Sequence, residues 1–359
     1  MIGVGIIGAG QIALANHLPG LRLCPEAKVV AVCDANARTL AEAQRVTEAP
    51  IASSNYHDLL QRDDVQAVIV ATPNDVHEEI VVAAARAQKH ILCEKPLALN
   101  YAGARKMMHE AIKANTRHMT AFTYRFVPAM RYLKHLVDSG AFGEIRHFRA
   151  QRFQDWGRRP LGWRQLKTKA GTGELGDMLS HRIDYGHYLV GPFSRIVAKL
   201  KTLVHERGNQ PADADDWVAF LGEFETGATG VLESTKLATG RGEGHRGLDL
   251  VEINGSEASA VYTTQKPLEL MFGKEGAPEL ERMEVPREFW VYPASPRDPA
   301  EGNPLATFRY DQDVEFVQAI LEQRDCMPSF VEGAACQRVM DACVVSSDQD
   351  RWVKVADIS

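Results

Sequence analysis

Residues 2–13 read Ile2-Gly3-Val4-Gly5-Ile6-Ile7-Gly8-Ala9-Gly10-Gln11-Ile12-Ala13. A short β-branched run, Ile2 to Ile7, feeds into G-x-G-x-x-A, and a helical pattern continues from Gln11 to about Leu23. Strand, glycine turn and helix in this order form a dinucleotide-binding corner. Gly8 permits the tight turn, Gly10 lets the backbone approach a pyrophosphate, and small Ala13 allows close packing of helix on strand. Gln11 and Ile12 open the helix, whose free N–H groups and positive dipole end suit phosphate. Alone the motif is weak, since a glycine turn can exist without a ligand. Its context strengthens it: Asp34 ends the next strand-like run, Val29 to Cys33. A carboxylate there accepts bonds from ribose hydroxyls and repels a 2′-phosphate. This favours NAD over NADP, with Arg38 the one nearby cation that could reach a 2′-phosphate.

The alternation continues outward. Helical patterns at Ala37–Val46, Val76–Gln88 and Tyr101–Ala114 interleave with strand-like runs at Val65–Ala71, His90–Cys93 and His118–Phe122. The nearly unbroken apolar run Val65–Ala71 is what a strand covered on both faces requires. The β-α-β-α order predicts a Rossmann-type, doubly wound parallel sheet over residues 1–123. After Tyr124 the character changes. A helix is predicted from Pro128 to Ser139, then a long run from Glu144 to Trp156, then strands separated by Gly-rich turns, as in an open, mostly antiparallel sheet. Residues 273–306 read as a proline-rich, irregular excursion, and two helical patterns close the chain near 311–323 and 332–348. The expected organisation is an α/β protein of two domains, 1–123 for dinucleotide and 124–359 for substrate and oligomerisation.

Bulk properties narrow the function. The 359 residues carry a formal charge of -6, with 45% hydrophobic and 25% charged residues, ordinary for a soluble globular protein. A basic surplus for nucleic acid is lacking. No stretch approaches the roughly 20 apolar residues of a membrane span, and the N-terminus has no basic leader, so a cytoplasmic protein is expected. The six cysteines form no C-x-x-C pair, which argues against both a zinc cluster and a disulfide framework.

Further segments make the chain resemble the Gfo/Idh/MocA oxidoreductase family. They are Glu94-Lys95-Pro96 after the strand His90–Cys93, and Gly171-Thr172-Gly173-Glu174-Leu175-Gly176-Asp177-Met178-Leu179-Ser180-His181-Arg182-Ile183-Asp184, a glycine-rich turn followed by D-x-x-x-H-x-x-D. Residues 71–77 (Ala-Thr72-Pro73-Asn74-Asp-Val-His77) and 123–126 (Thr-Tyr124-Arg125-Phe) also resemble family positions at the cofactor site. The resemblance, which spans essentially the whole chain, implies a Rossmann domain, an open-sheet domain whose free face often serves oligomerisation, and a sugar or cyclitol substrate. It is closest in style to inositol and aldose dehydrogenases, and implies a nicotinamide close to Lys95. A homodimer or homotetramer is expected. Glu174 departs from the pattern, standing where an apolar residue is common.

The chemistry of these residues can be read independently. Asp177 and His181 are four apart on a predicted helix and share a face, as does Asp184. Oxidising an alcohol needs a base for the hydroxyl proton, and histidine titrates near working pH. Asp177 can orient the imidazole or hold a substrate hydroxyl. Lys95 can bond the reacting oxygen and stabilise negative charge there. The same residues also admit plainer readings: Asp177/His181 as a local helix pair, Lys95 as a surface lysine, Asp184 and Arg125 as structural partners. No metal is required. Thr72, Pro73, Asn74, His77 and Glu94 are expected to line the cofactor channel, although His77 could equally pack within its helix. Tyr124, Arg152, Trp156, Trp163, Arg164 and His245 are candidate substrate contacts. Aromatic faces suit pyranose rings, and the basic run 146–169 suits an anionic sugar; the alternative is a solvated basic loop or an oligomer contact.

Three functions are compatible with these residues: a dehydrogenase of a sugar, sugar derivative or cyclitol with His181 as base and Lys95 as polariser, a glycoside-cleaving enzyme that oxidises a ring hydroxyl only transiently and returns the hydride, and a non-catalytic dinucleotide-binding sensor.

Overall fold

The computed structural model describes residues 1–359. Its compact units divide at Thr123/Tyr124, but the expected second domain is interrupted. Val291–Gly302 and Ala306–Ala334 belong with Met1–Thr123, while Tyr124–Trp290, Asn303–Leu305 and Ala335–Ser359 form the other unit. The boundary 124–359 is therefore corrected, and the reason is visible in the side chains. Arg297 forks onto Asp311 with bonds of 3.1 and 2.8 Å, which ties the irregular excursion to the helix Asp311–Leu321. Phe330 and Ala334 enter the hydrophobic core beside Leu97 and Ala104.

The first unit holds six parallel strands: β1 (Ile2–Ile7), β2 (Ala27–Cys33), β3 (Ile51–Ser53), β4 (Ala67–Val70), β5 (His90–Cys93) and β6 (His118–Thr120). Their order is β3-β2-β1-β4-β5-β6. Ile7 is level with both Cys33 and Val70, and Val70 with Cys93. The strands thus end on one line, and Gly8, Asp34, Ala71 and Glu94 follow it. The order reverses between β1 and β4, the place where such sheets bind ligands beyond the carboxyl ends of their strands. β3 and the helix Tyr56–Leu60 were not anticipated; three half-buried residues give no periodic signal.

The second unit has a two-stranded ribbon, β9 (Glu206–Arg207) and β10 (Gln210–Pro211), and a nine-stranded sheet. The sheet contains β7 (Ile145–Phe153), β8 (Phe193–Lys201), β11 (Trp217–Phe224), β12 (Thr229–Thr235), β13 (Leu248–Gly255), β14 (Ala258–Thr263), β15 (Glu269–Lys274), β16 (Glu281–Glu284) and β17 (Val353–Lys354). Its order is β16-β15-β14-β13-β7-β12-β11-β8-β17, antiparallel except for β7 with β12. Alternation sorts the faces: Phe148, Ala150, Val218, Phe220, Leu232, Val251 and Ile253 are buried, whereas their sequence neighbours are half-buried or exposed.

Candidate functional site

In the first unit the predicted corner is formed as expected. Gly8 has φ 85°, and a Cβ there would stand 2.5 Å from the Thr72 backbone nitrogen. Only glycine lets β1 turn so close to the end of β4. At Gly10 a Cβ would meet nothing within 4 Å, so the backbone borders open space where a phosphate can approach. Gln11 is exposed and Ile12 half-buried at the start of the helix, which widens from Ala13 to His17 into a π-turn before Leu18–Arg22. Such turns are frequent at functional sites.

Asp34 braces this corner from below. One carboxylate oxygen accepts the Ala9 N–H at 3.0 Å and the other accepts Asn36 N–H at 2.8 Å. Arg38 is exposed in the first turn of the helix Ala37–Thr47, where Asn36 caps its N–H at 3.0 Å. The acidic residue, the two glycines and the helix start fit the binding of an NAD.

Thr72, Pro73 and Asn74 follow β4 as placed from sequence, with Asn74 buried at the start of a short 3-10 turn. His77 is fully buried and is a strut: its ring nitrogens lie 3.2 Å from the Pro96 carbonyl and 3.0 Å from the Thr72 carbonyl. Burial holds it below the ordinary histidine range in spite of those bonds, so it is neutral and donates to one carbonyl at a time. It joins the Thr72 loop to the Glu94-Lys95-Pro96 turn rather than offering a ring to a cofactor. Lys95 is half-buried at the carboxyl end of β5, and its N–H donates to Glu94 Oε2 at 3.2 Å.

In the second unit Asp177 sits in a π-turn, Leu175–Leu179, that leads into the helix Ser180–Leu189. The expected regular helix is thus wider by a residue around Asp177. His181 is buried in the first turn, and the Tyr124 ring meets it edge-on at 4.6 Å and 75°. Arg164 faces Asp177 at 3.5 Å and lies over the Trp163 ring at 4.3 Å. Tyr124, Trp163, Arg164, Asp177 and His181 are therefore brought together in pairs. Asp184 and Arg125 are a buried bidentate pair, at 2.8 and 2.6 Å, with Arg125 also over the Tyr188 ring at 4.6 Å. They hold the helix in place.

Arg152 does not face a ligand. It is buried, and its guanidinium donates to Gln154 Oε1 at 2.7 Å, to the Gly244 carbonyl at 2.7 Å and to the Leu248 carbonyl at 3.3 Å. Inward alternation along β7 puts it in the core and anchors the loop that carries His245. His245 itself is exposed. Trp156 is half-buried beneath Arg159, 4.0 Å away, and Arg159 pairs with Glu243. Arg152, Arg159 and Arg164 of the basic run are thus committed to backbone carbonyls, Glu243 and Asp177.

Sequence reasoning missed the supports of the turn before Asp177. Asp215 accepts the N–H of Gly173 at 2.5 Å and of Leu175 at 2.8 Å, and a Cβ on Gly173 would stand 2.0 Å from the Asp215 carbonyl. Glu174 is fully buried and accepts the Ser234 hydroxyl at 2.5 Å. Burial pushes its carboxyl up to about 8; buried Lys236 opposes the shift and Asp177 adds to it. These partners lie tens of residues away along the chain, so no local spacing announces them.

Comparison with known proteins agrees with this geometry. Residues 2–122 match the oxidoreductase family with an NAD-binding Rossmann fold, and residues 130–261 match the GFO/IDH/MocA C-terminal domain. The chain is 34% identical to the levoglucosan dehydrogenase of Pseudarthrobacter phenanthrenivorans, over 100% of this chain and 99% of the relative. It is 31% identical to the myo-inositol 2-dehydrogenase of Thermotoga maritima, over 66% of this chain and 69% of that one. A solved levoglucosan dehydrogenase in complex with NADH and levoglucosan superposes with a TM-score of 0.90 at 33% identity, covering 99% of each chain. The chain belongs to the Gfo/Idh/MocA family and is an NAD-dependent oxidoreductase acting on CH–OH groups.

Proposed function

We propose that the chain oxidises one secondary hydroxyl of an uncharged sugar or anhydrosugar. When bound, NAD supplies the hydride acceptor at the carboxyl edge of the parallel sheet. His181 takes the hydroxyl proton while the carbon loses hydride and the C=O bond forms. Tyr124 keeps the imidazole from turning, and Asp177, steered by Arg164, holds a neighbouring hydroxyl. Lys95 donates to the reacting oxygen and stabilises its negative charge. The observation that carries this reading is the Tyr124–His181 and Arg164–Asp177 arrangement, in a chain that matches a sugar dehydrogenase end to end. An uncharged substrate is favoured because the arginines Arg152, Arg159 and Arg164 already have partners within the unit. Asp34 turned toward the glycine corner favours NAD over NADP.

The test is a panel of levoglucosan, aldoses, inositols, sugar acids and glycosides with NAD, reading NADH absorbance and sugar products together. NADH formed with an uncharged sugar supports the reading. Saturable turnover of sugar acids alone overturns the uncharged class. Aglycone release without net NADH replaces the dehydrogenase by a glycoside-cleaving enzyme. In the active case Lys95→Ala is expected to bind NADH normally and to lose about 10²–10³-fold in turnover; binding without any turnover of the wild type by any sugar would favour a sensor.

A further inference from the structure

We propose that His17 and Asp313 are positioning residues for Lys95, acting through Glu94. This deepens the reading of Lys95 as the residue that polarises the reacting oxygen, and rests on it.

His17 closes the π-turn that follows the glycine corner, and it is fully buried. Its Nδ1 lies 2.9 Å from Asp313 Oδ1 and its Nε2 3.2 Å from Glu94 Oε1. Glu94 Oε2 in turn accepts the Lys95 N–H at 3.2 Å. A continuous chain, Asp313–His17–Glu94–Lys95, therefore runs from the helix Asp311–Leu321 to the turn beyond β5. Two carboxylates on one imidazole require both ring nitrogens to donate, which only imidazolium can do. Burial works against that charge, yet Asp313 and Glu94 outweigh it and push His17 up to about 10. Glu94 is held below the carboxylate range: burial raises it, and the bond and charge of His17, together with Lys95, pull it down.

Packing alone does not call for this trio. A buried ion cluster is expensive to desolvate, and apolar residues of similar volume usually serve stability as well or better. The fold nevertheless makes room for it. A Cβ on Gly20, one turn after His17, would stand 2.5 Å from Asp313 Oδ2 and 2.8 Å from Asp313 Cβ, so glycine is what admits Asp313 to the imidazole. The other end of the chain fixes the backbone on which Lys95 is carried. Without the imidazolium, Glu94 would keep its charge but lose the contact that aims one oxygen at the Lys95 N–H. Misplacing a polarising group by about 1 Å is enough to cost up to about 10²-fold in rate.

The test uses the full-length protein with NADH bound, as His17→Gln and Asp313→Asn, beside Lys95→Ala. Reductive ¹³C-methylation gives the lysines separate NMR signals, and that of Lys95 is the one missing in Lys95→Ala. The expected result is that both variants fold, bind NADH within about twofold of wild type, and displace the Lys95 signal while leaving other lysines in place. Turnover of the sugar the wild type oxidises falls about 10–100-fold, and His17→Gln adds nothing further in a Lys95→Ala background. An unchanged Lys95 signal in the folded variants overturns the inference, as does a rate loss that multiplies in the Lys95→Ala background. If His17→Gln does not fold, the near-isosteric Asp313→Asn decides by the same signals. Full turnover in Lys95→Ala would instead sink the role given to Lys95, whatever His17 does. A dead Lys95→Ala beside a wild-type His17→Gln would sink only the part assigned to His17.

Discussion

Glu174 is a residue whose behaviour departs far from its type. A carboxyl buried with one hydroxyl partner prefers to keep its proton, and its folded value of about 8 stands above the ordinary 4.5. The sign of the linkage follows. The stabilising contribution is full below pH 4.5 and is lost as the pH rises through about 8. Glu174→Gln should therefore flatten the fall in stability between about pH 5 and 8, by a difference on the order of a few kcal/mol. Parallel melting curves for wild type and variant across that range would refute it. Asp34 belongs to the same scale. Asp34→Ala removes the carboxylate that braces the Ala9 N–H, and KM for NAD should rise about tenfold while discrimination against NADP weakens. Steady-state kinetics with both cofactors check this. The places of Asp34 and Lys95 just beyond strand ends, and of His181 on a helix, were legible from sequence because local patterns mark those elements. Asp215, Lys236, His17 and Asp313 were not, because their partners are brought to them only by folding; Asp313 lies 296 residues from the imidazole it grips.

Apart from β3 and the helix Tyr56–Leu60, the strands and helices of residues 1–123 were legible to within a few residues of their ends, since apolar runs buried on both faces carry a strong signal. His90–Cys93 is a strand with the boundaries expected, and Tyr101–Lys113 ends one residue short of the reading. What periodicity missed is local winding. Both helices that carry the candidate chemistry open through π-turns, Ala13–His17 and Leu175–Leu179, which a count of four residues per turn does not foresee. The second is held at its start by Asp215, whose two oxygens take two of the turn's N–H groups. Asp215→Ala should cost about 2–4 kcal/mol and lower kcat more than NADH affinity, because those donors are left buried and Asp177 is released. Denaturant melts together with NADH titration measure both parts; a variant with full stability would show that the turn holds itself. Gly8→Ala meets the Thr72 backbone at 2.5 Å from a φ of 85°, and is expected to destabilise by more than about 2 kcal/mol.

At the scale of the molecule, the sheet of the second unit leaves one face with little cover. Leu221 is 50% exposed there, on β11 between half-buried Ala219 and Glu223. The expected homo-oligomer would use this face. Leu221→Lys should then lower the mass seen by light scattering at micromolar concentration without changing the melting profile of the subunit; an unaltered mass would move the contact elsewhere. The two-part plan of the chain was legible, but not the return of residues 291–302 and 306–334, since a proline-rich stretch and two amphipathic helices do not say which core they join. That return has a consequence for how the protein is made. A ribosome that has finished β6 has delivered all six strands of the dinucleotide unit but neither Asp313 for the His17 imidazole nor Phe330 for the core. The nascent unit must wait, with its hydrophobic surface incompletely covered, until about residue 334 has cleared the exit tunnel. For this chain, the part synthesised first is among the last to be finished.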